Sequence, residues 1–459
     1  MSTFSRQRTR SSQPASNRSF EYGALIPLLA VSYPAIIQPL IYLSFPPAAG
    51  LEGLLASRIE NRIFWPALAF LTILAIARSR TRPIMPTTPP NIAALVAYVA
   101  FAGASVMWSF NPGLSFIRVV QEVMVLTTII LPALLTQRDT DIIHGVFLCF
   151  GLAAAVNVLL IPGGYVSVAQ YGSVLVEIGY QGYFTGKNLL GEFAAITCLL
   201  SIYQFLLGGK RRVLGIVVGA LACVLLFLSN SKTALALAPL CPIFAGILIF
   251  INKRLRISPA IVICTIAFVS LLFCELSDFN TGRIAYMLTG DSSFTGRMTI
   301  WNFAETEIAR KPLFGWGYQA FWLSGPDAPS VVDAPGWVKS MPNAHNGYYD
   351  TLLELGYVGL TLLSIFLITT LHMIGIVAKR DIGRAWLLLS IALFVMLYDF
   401  LETLWLRAFD LSWVVFVVVA AEAARYWRRP YASASPQPAP ERVIGSRRPR
   451  NWRPRWRRA

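Results

Sequence analysis

Charged residues are scarce in this sequence. Only 14% of the 459 residues are Asp, Glu, Lys or Arg, whereas 56% are hydrophobic. Because about a quarter of the residues of a soluble domain are charged, the shortage excludes an ordinary soluble enzyme. The apolar residues come in blocks of about 20, the length of a helix that crosses a bilayer. The pattern predicts an all-α polytopic membrane protein, since a β-barrel would show short alternating segments instead.

Residues that bind metals or nucleotides are also few. The chain has 6 cysteines and 3 histidines, and none is spaced like a zinc site. The cysteines lie inside apolar blocks, which favours a role as small hydrophobic side chains. No clustered acidic motif for a divalent metal and no Walker-type phosphate loop occurs. We therefore expect neither a metal nor a cofactor.

Twelve apolar segments are predicted to be transmembrane helices. They cover residues 24–44, 62–77, 91–109, 115–136, 141–161, 188–207, 212–229, 233–251, 258–276, 348–378, 384–403 and 409–426. The segment 348–378 is long enough to tilt or to begin as an interfacial helix. The chain is thereby divided into five parts. They are a disordered basic tail (1–23), nine helices (24–276), a long loop (277–347), three helices (348–426) and a disordered Arg-rich tail (427–459).

Lysine and arginine give the orientation. Most of the 39 basic residues fall in alternate connections and in both tails, which the positive-inside rule places in the cytoplasm. The loop 277–347 then lies outside. The tail 427–459 interleaves Arg with Trp, which could indicate nucleic-acid binding. We favour a disordered tail attracted to anionic lipid, and expect no nucleic-acid partner.

Three cations are predicted at helix N-termini on the external side. Lys187 precedes Asn188 at the start of the sixth span, Lys232 begins the eighth, and Arg297 begins a helix predicted at 295–312 within the long loop. A cation there opposes the helix dipole, and a bound anion would relieve the conflict. Snorkelling at the interface is the alternative explanation for each of them. Apolar residues on one side of 295–312 predict that this helix lies along the membrane surface.

The stretch "AHNGYYD" places His345 between the long loop and the tenth span. His345 could act as a base on the external face, or it could cap the following helix, although Asn346 could cap that helix alone. A lipid-linked pyrophosphate would be a fitting anion at this depth. His144 and His372 lie away from the cations and are interpreted as structural.

Two further features leave alternatives open. The stretch "LFGWGYQAFW" suits either sugar stacking or an interfacial aromatic belt. Charges within spans, at Arg118, Glu122, Glu192 and Asp399, would suit a transporter pathway, although Arg118 and Glu122 could also pair as a structural unit.

Four motifs resemble, in order, the O-antigen ligase-like superfamily. They are "TGKNLLGE" (185–192), "SNSKTALAL" (229–237), "GRMTIWNFAETEIARKPLFGWGYQAF" (296–321) and "AHNGYYDTLLELGYVGL" (344–360). The first looks most like the branch of exopolysaccharide production proteins, which are polymerases. The resemblance implies a metal-independent glycosyltransferase of the GT-C type in the bacterial inner membrane, with its active site in the periplasm.

The resemblance also implies the roles of particular residues. His345 falls on the family's base, and Arg297 falls on an arginine that contacts the phosphates of the donor. Lys232 stands where the family has a second arginine, so it keeps the charge but loses the bidentate geometry. We expect Lys187 to assist in binding the pyrophosphate, and we expect five more residues to contact substrate: Asn188, Asn346, Trp316, Tyr318 and Tyr348.

The implied reaction polymerises undecaprenyl-pyrophosphate-linked oligosaccharide units into exopolysaccharide. The alternative within the family is an O-antigen ligase that transfers finished polymer to lipid A-core or another acceptor, and a polysaccharide flippase or transporter is a more distant one. Expected partners are the lipid-linked saccharides, the bilayer, a chain-length regulator and export proteins.

Overall fold

The structure is a computed structural model that describes residues 25–46, 58–78, 88–135, 141–171, 174–276 and 296–428. The predicted tail 1–23 lies outside the described residues. So do the first part of the long loop, 277–295, and nearly all of the Arg-rich tail 427–459.

The described chain is mainly helical, and its helices are the apolar blocks of the sequence. Before the long loop they are α1 Leu25–Ser44, α2 Ile59–Arg78, α3 Pro90–Met107, α4 Pro112–Leu135, α5 Ile142–Leu159, α6 Lys187–Leu207, α7 Gly209–Ser229, α8 Lys232–Leu255 and α9 Pro259–Leu276. From the loop onward they are α10 Arg297–Arg310, α11 Pro329–Val332, α12 Gly347–Val377, α13 Ile382–Tyr398 and α14 Leu411–Arg425.

The prediction of an all-α polytopic membrane protein is confirmed. Each of the twelve predicted spans overlaps a helix. Within the described ranges, nine helices are long and apolar enough to cross a membrane, and α9 and α13 are shorter apolar helices. The twelfth predicted span corresponds to α14, which has 15 residues.

The eleventh predicted span, 384–403, differs from the structure at its end. The helix α13 stops at Tyr398, and residues 399–410 form an irregular segment that we call the 399–410 connection. Its apolar residues Leu404, Trp405 and Leu406 are 2–3% exposed, so hydropathy alone could not distinguish this buried connection from the end of a span.

The connection between the fifth and sixth predicted spans, residues 162–187, contains a β-hairpin that the sequence did not predict. Strand β1, Val166–Tyr171, pairs antiparallel with β2, Val174–Tyr180, with an irregularity between Ser167 and Val168. The Ser167 hydroxyl accepts a hydrogen bond of 2.9 Å from the backbone N–H of Lys187. The hairpin therefore holds the beginning of α6.

The long loop has a small apolar core of its own around α10. The buried side of α10 carries Ile300, Phe303 and Ile308, which pack with Phe321 and Trp322. The sequence predicted that this side lies against the membrane surface. In the structure it contacts the rest of the loop and the start of α12 instead, because the later loop residues supply an apolar partner.

Gly356 breaks the 31-residue helix α12. Its φ of 64° is in the left-handed region, and a Cβ there would lie 2.3 Å from the carbonyl oxygen of Leu313. The backbone groups that the break releases pair with the loop: Tyr357 N–H donates to Pro312 O, and Leu353 O accepts from Trp316 N–H. The loop is thus joined to α12 by backbone hydrogen bonds.

We expect Gly356→Ala to lower the free energy of unfolding by about 2–5 kcal/mol, because it adds a strained φ and a clash with backbone. Gly246→Ala is the matched control, since its Cβ would lie 3.8 Å from the Trp386 ring, an ordinary contact. Unfolding in detergent micelles measures both. Equal midpoints for the two variants would contradict the role assigned to Gly356.

Candidate functional site

The three predicted cations each begin a helix. Lys187, Lys232 and Arg297 are the first residues of α6, α8 and α10. None of these helices has a side chain that caps its N-terminus. The first turns of α8 and α10 therefore offer backbone N–H groups to an acceptor next to Lys232 and Arg297, whereas in α6 the N–H of Lys187 already donates to Ser167.

Glu402 of the 399–410 connection brings three of the predicted site residues together. Its Oε1 lies 3.2 Å from the Arg297 guanidinium, and its Oε2 lies 3.4 Å from His345 Nδ1. The Asn188 amide donates to the same Oε1 at 2.8 Å. The side chains of His345, Arg297 and Glu402 are 32%, 17% and 19% exposed, so the group is accessible from one side.

His345 is held by a local hydrogen bond to the side chain of Asn343 and does not cap a helix. It adopts φ 50°, and its N–H donates to Asn343 Oδ1 at 3.0 Å. Asn346 caps α12, since its Oδ1 accepts from the N–H groups of Tyr348 and Tyr349. The cap that the sequence analysis considered for His345 is therefore made by Asn346.

Gly347 allows the 399–410 connection to approach His345 closely. Its N–H donates to the carbonyl oxygens of Asp399 and Glu402, both at 2.9 Å. A Cβ at this position would lie 2.2 Å from Asp399 Oδ2. Only glycine fits here, which gives a physical reason for the Gly that follows "HN" in the motif.

Asp350, one turn into α12, also holds the 399–410 connection in place. Its carboxylate is 1% exposed and accepts hydrogen bonds from the Trp322 indole and the Thr403 hydroxyl, each at 2.7 Å. Arg407 pairs with Asp350 and Glu354. Burial acts to lower the pKa of Arg407, but the charges of these carboxylates raise it above its ordinary value.

Lys187 and Lys232 lie close to this group but do not contact His345. The Lys187 ammonium donates to Ile178 O and Asn230 O at 3.3 and 3.2 Å. Lys232 is exposed, and we find no hydrogen bond or ion pair for it within the described ranges. The charges of the two lysines are near enough to interact.

The first two motifs meet where α6 crosses the start of α8. A Cβ on Gly191 would lie 2.6 Å from that of Ser231. Tyr398 lies against Ser231 and donates its O–H to Asn188 O at 3.0 Å. Asn188 also donates to Glu402. Ser231 and Tyr398 therefore connect the start of α8 to the group formed by His345, Arg297 and Glu402.

Three aromatic residues predicted to contact substrate have packing roles. Tyr318 is fully buried and donates to Leu406 O at 2.6 Å. Tyr348 donates to Met396 O at 3.0 Å and packs on Phe400. The Trp316 ring is half-buried, with the Lys311 ammonium 4.0 Å from its centre. Their contact with substrate stays a prediction that these contacts do not support.

The charges within the spans take packing partners. Arg118 donates to Gln319 O, and Glu122 accepts from the Trp413 indole at 2.8 Å. We find no ion pair between Arg118 and Glu122 in the described part of the chain, so the structural pair considered above does not form. Glu192 is 1% exposed, near Ser412.

Metal ligands are not grouped in the described ranges. No set of three or more His, Cys, Asp or Glu side chains there is placed to hold a metal ion. Asp350 and Glu354 are two neighbouring acids beside the candidate site, but both pair with Arg407, and Asp350 also accepts from Thr403.

Comparison with known proteins decides the family question. Residues 216–364 match the O-Antigen ligase family (Wzy_C), a range that includes Lys232, Arg297 and His345. This part of the chain is O-antigen ligase-like. The resemblance predicted from the motifs is therefore confirmed, whereas Lys187, Asn188 and Glu402 lie outside the matched range.

One relative extends the match beyond this part of the chain. The chain is 27% identical over 286 residues to the exopolysaccharide production protein ExoQ of Rhizobium meliloti (strain 1021). The aligned residues are 60% of this chain and 63% of that relative.

Sequence reasoning missed Glu402. It was assigned to the end of an apolar span, and no family motif contained it. The sequence feature that could have identified Glu402 is its position as an acid in the otherwise apolar stretch "FLETLWL". Ionisable residues within apolar spans often mark function.

We expect Gly347→Ala to separate the 399–410 connection from His345, at a cost of about 1–3 kcal/mol for the added volume. Gly186→Ala is the control, because a Cβ there meets nothing within 4 Å. Thermal unfolding in micelles should show a lower midpoint for Gly347→Ala alone. An unchanged midpoint would mean that Asp399 moves aside freely.

Proposed function

We propose that the protein is a membrane glycosyltransferase that joins undecaprenyl-pyrophosphate-linked oligosaccharide units into exopolysaccharide on the periplasmic face, without a metal. The observation that carries the proposal is the sharing of Glu402 by His345 and Arg297. It puts the one base expected on that face beside a cation that can bind phosphate.

In the proposed reaction, the hydroxyl of the acceptor sugar gives its proton to His345. The hydroxyl oxygen forms a bond to the anomeric carbon of the donor. The bond from that carbon to the pyrophosphate breaks, and undecaprenyl pyrophosphate leaves with the bonding electrons. The leaving group needs stabilisation of its negative charge rather than an acid.

Arg297 would stabilise that charge together with the uncapped N-terminus of α10, and Lys232 and Lys187 would do so from α8 and α6. At the starts of α8 and α10 the backbone N–H groups would assist the cation in binding the same anion. Lys232 is the most available of the three, because its side chain is exposed and has no partner in the described ranges. Arg297 would exchange its contact with Glu402 for the donor phosphate.

The ligase alternative rests on the description of the matched family, which is O-Antigen ligase. The name of the relative, an exopolysaccharide production protein, favours the polymerase. Deleting the protein separates the two. Loss of a polymerase accumulates single lipid-linked units, whereas loss of a ligase accumulates long lipid-linked polymer.

A transporter finds less support. Its pathway would need accessible charges at membrane depth, and Glu122 and Glu192 are each 1% exposed.

We expect His345→Ala to lower turnover by about 10²–10⁴-fold, the usual contribution of a positioned base. His372→Ala is the matched control, because His372 bonds Ser258 and lies away from the cations. The assay follows polymer formed from lipid-linked units by the purified protein in vesicles. Polymerisation by His345→Ala at the parental rate would remove His345 from the role of base.

A second set of variants tests the phosphate site. Arg297→Ala and Lys232→Ala should raise the KM for the donor, since each removes a cation that binds pyrophosphate. The conservative variant Lys232→Arg should retain binding, because it keeps the charge and restores the fork of the family's arginine. Unchanged KM values in both alanine variants would contradict the assignment.

A further inference from the structure

We propose that Glu402 is a positioning residue that fixes which nitrogen of His345 acts as the base. The inference rests on the proposed function for its catalytic consequence. Glu402 would accept a hydrogen bond from Nδ1–H of His345, leaving Nε2 unprotonated and turned toward the acceptor hydroxyl. After proton transfer, the same carboxylate would stabilise the positive charge on the ring.

The contacts around Glu402 support this assignment. A carboxylate oxygen only accepts hydrogen bonds, so the nitrogen that faces it must carry the hydrogen. Nδ1 faces Oε2 at 3.4 Å. On the opposite side of the ring, Nε2 has no hydrogen bond to any described residue, and the side chain is 32% exposed. Nε2 is therefore the nitrogen that a substrate can reach.

The carboxylate is itself fixed in orientation. Asn188 and Arg297 both donate to Oε1, at 2.8 and 3.2 Å, which leaves Oε2 for the histidine. The backbone of the residue is also held, because Glu402 O accepts from Gly347 N–H at 2.9 Å. A group anchored at both ends can orient a neighbouring ring, as a second partner of a catalytic histidine does.

These contacts predict an unusual result for Glu402→Gln. The amide oxygen of the new side chain would take the place of Oε1, because two donors point there. The amide NH₂ would then face His345 Nδ1 and donate to it. Nδ1 would become an acceptor, and the hydrogen would move to Nε2, so the variant should hold the ring in the opposite tautomer.

Nuclear magnetic resonance of ¹⁵N-histidine in lipid bilayers reads the tautomer directly, from the chemical shifts of the two ring nitrogens. The chain has only 3 histidines, and His345→Ala identifies the signal of His345. We expect Nδ1–H in the parent protein, Nε2–H in Glu402→Gln, and Nδ1–H again in Glu402→Asp. The same tautomer in the parent and in Glu402→Gln would overturn the inference.

Kinetics separates positioning from a mere ion pair with Arg297. If Glu402 positions the base, Glu402→Gln should lower kcat about 10²-fold with little change in the KM for the donor, and Glu402→Asp should recover part of kcat. If Glu402 only neutralises Arg297, its removal should lower that KM and leave kcat intact, which would contradict the proposal.

Glu305→Gln is the matched control, because Glu305 is a carboxylate of α10 that accepts from the Tyr349 hydroxyl at 2.6 Å and does not contact His345. It should change neither the tautomer nor kcat. The tautomer is measured without substrate, so the two claims can fail separately. If the parent protein does not polymerise lipid-linked units but Glu402→Gln still changes the tautomer, the proposed function fails and the positioning role stands. If the parent protein polymerises them and Glu402→Gln leaves the tautomer unchanged, the positioning role fails and the proposed function stands.

Discussion

Carboxylates buried inside the protein must find donors or cations, and the candidate site depends on how this chain satisfies them. An unpaired buried charge costs several kcal/mol, because nothing replaces its lost water. Asp350 and Glu354 meet this requirement through Arg407, Thr403 and Trp322. Each of those contacts also fixes a segment: the 399–410 connection, the long loop or the start of α12. The arrangement that satisfies the buried charges is therefore the one that puts Glu402 beside His345.

Glycines make the same arrangement possible by allowing close approach of backbone. Gly347 lets Asp399 lie against the first turn of α12, and Gly356 lets the loop pair with the broken middle of that helix. At both places a Cβ would lie more than an angstrom closer to another atom than an ordinary van der Waals contact allows. The motif "AHNGYYDTLLELGYVGL" thus combines the candidate base His345 with Gly347, Gly356 and Asp350, which determine the geometry around it.

Cations at uncapped helix N-termini are the other distinctive feature. Such a cation opposes the helix dipole, and three occur where α6, α8 and α10 begin. Only Arg297 has a carboxylate partner in the described ranges, and that partner also faces the histidine. An anionic donor would give all three helices a favourable charge at their first turn. The repulsion between each cation and the helix dipole is unfavourable in the free protein, and the bound anion would offset it in the substrate complex.

The sequence by itself determined the helical membrane fold, since the apolar blocks and their length require it. It also determined that Lys187, Lys232 and Arg297 begin helices, because helix starts are local, and it identified the family through its motifs. It did not predict the hairpin β1–β2, whose strands lie in a loop rich in Gly and Tyr. Nor did it predict that the apolar side of α10 packs on the loop's own core.

Only the tertiary structure decided which residues meet. The end of α13 at Tyr398, the packing roles of Tyr318 and Tyr348, and the place of Glu402 all follow from contacts between segments far apart in the chain. Glu402 is 57 residues from His345 and 105 from Arg297. No local pattern encodes such a contact. Propensity and hydropathy act over a few turns, whereas the pairing of buried charges is settled when the whole bundle packs.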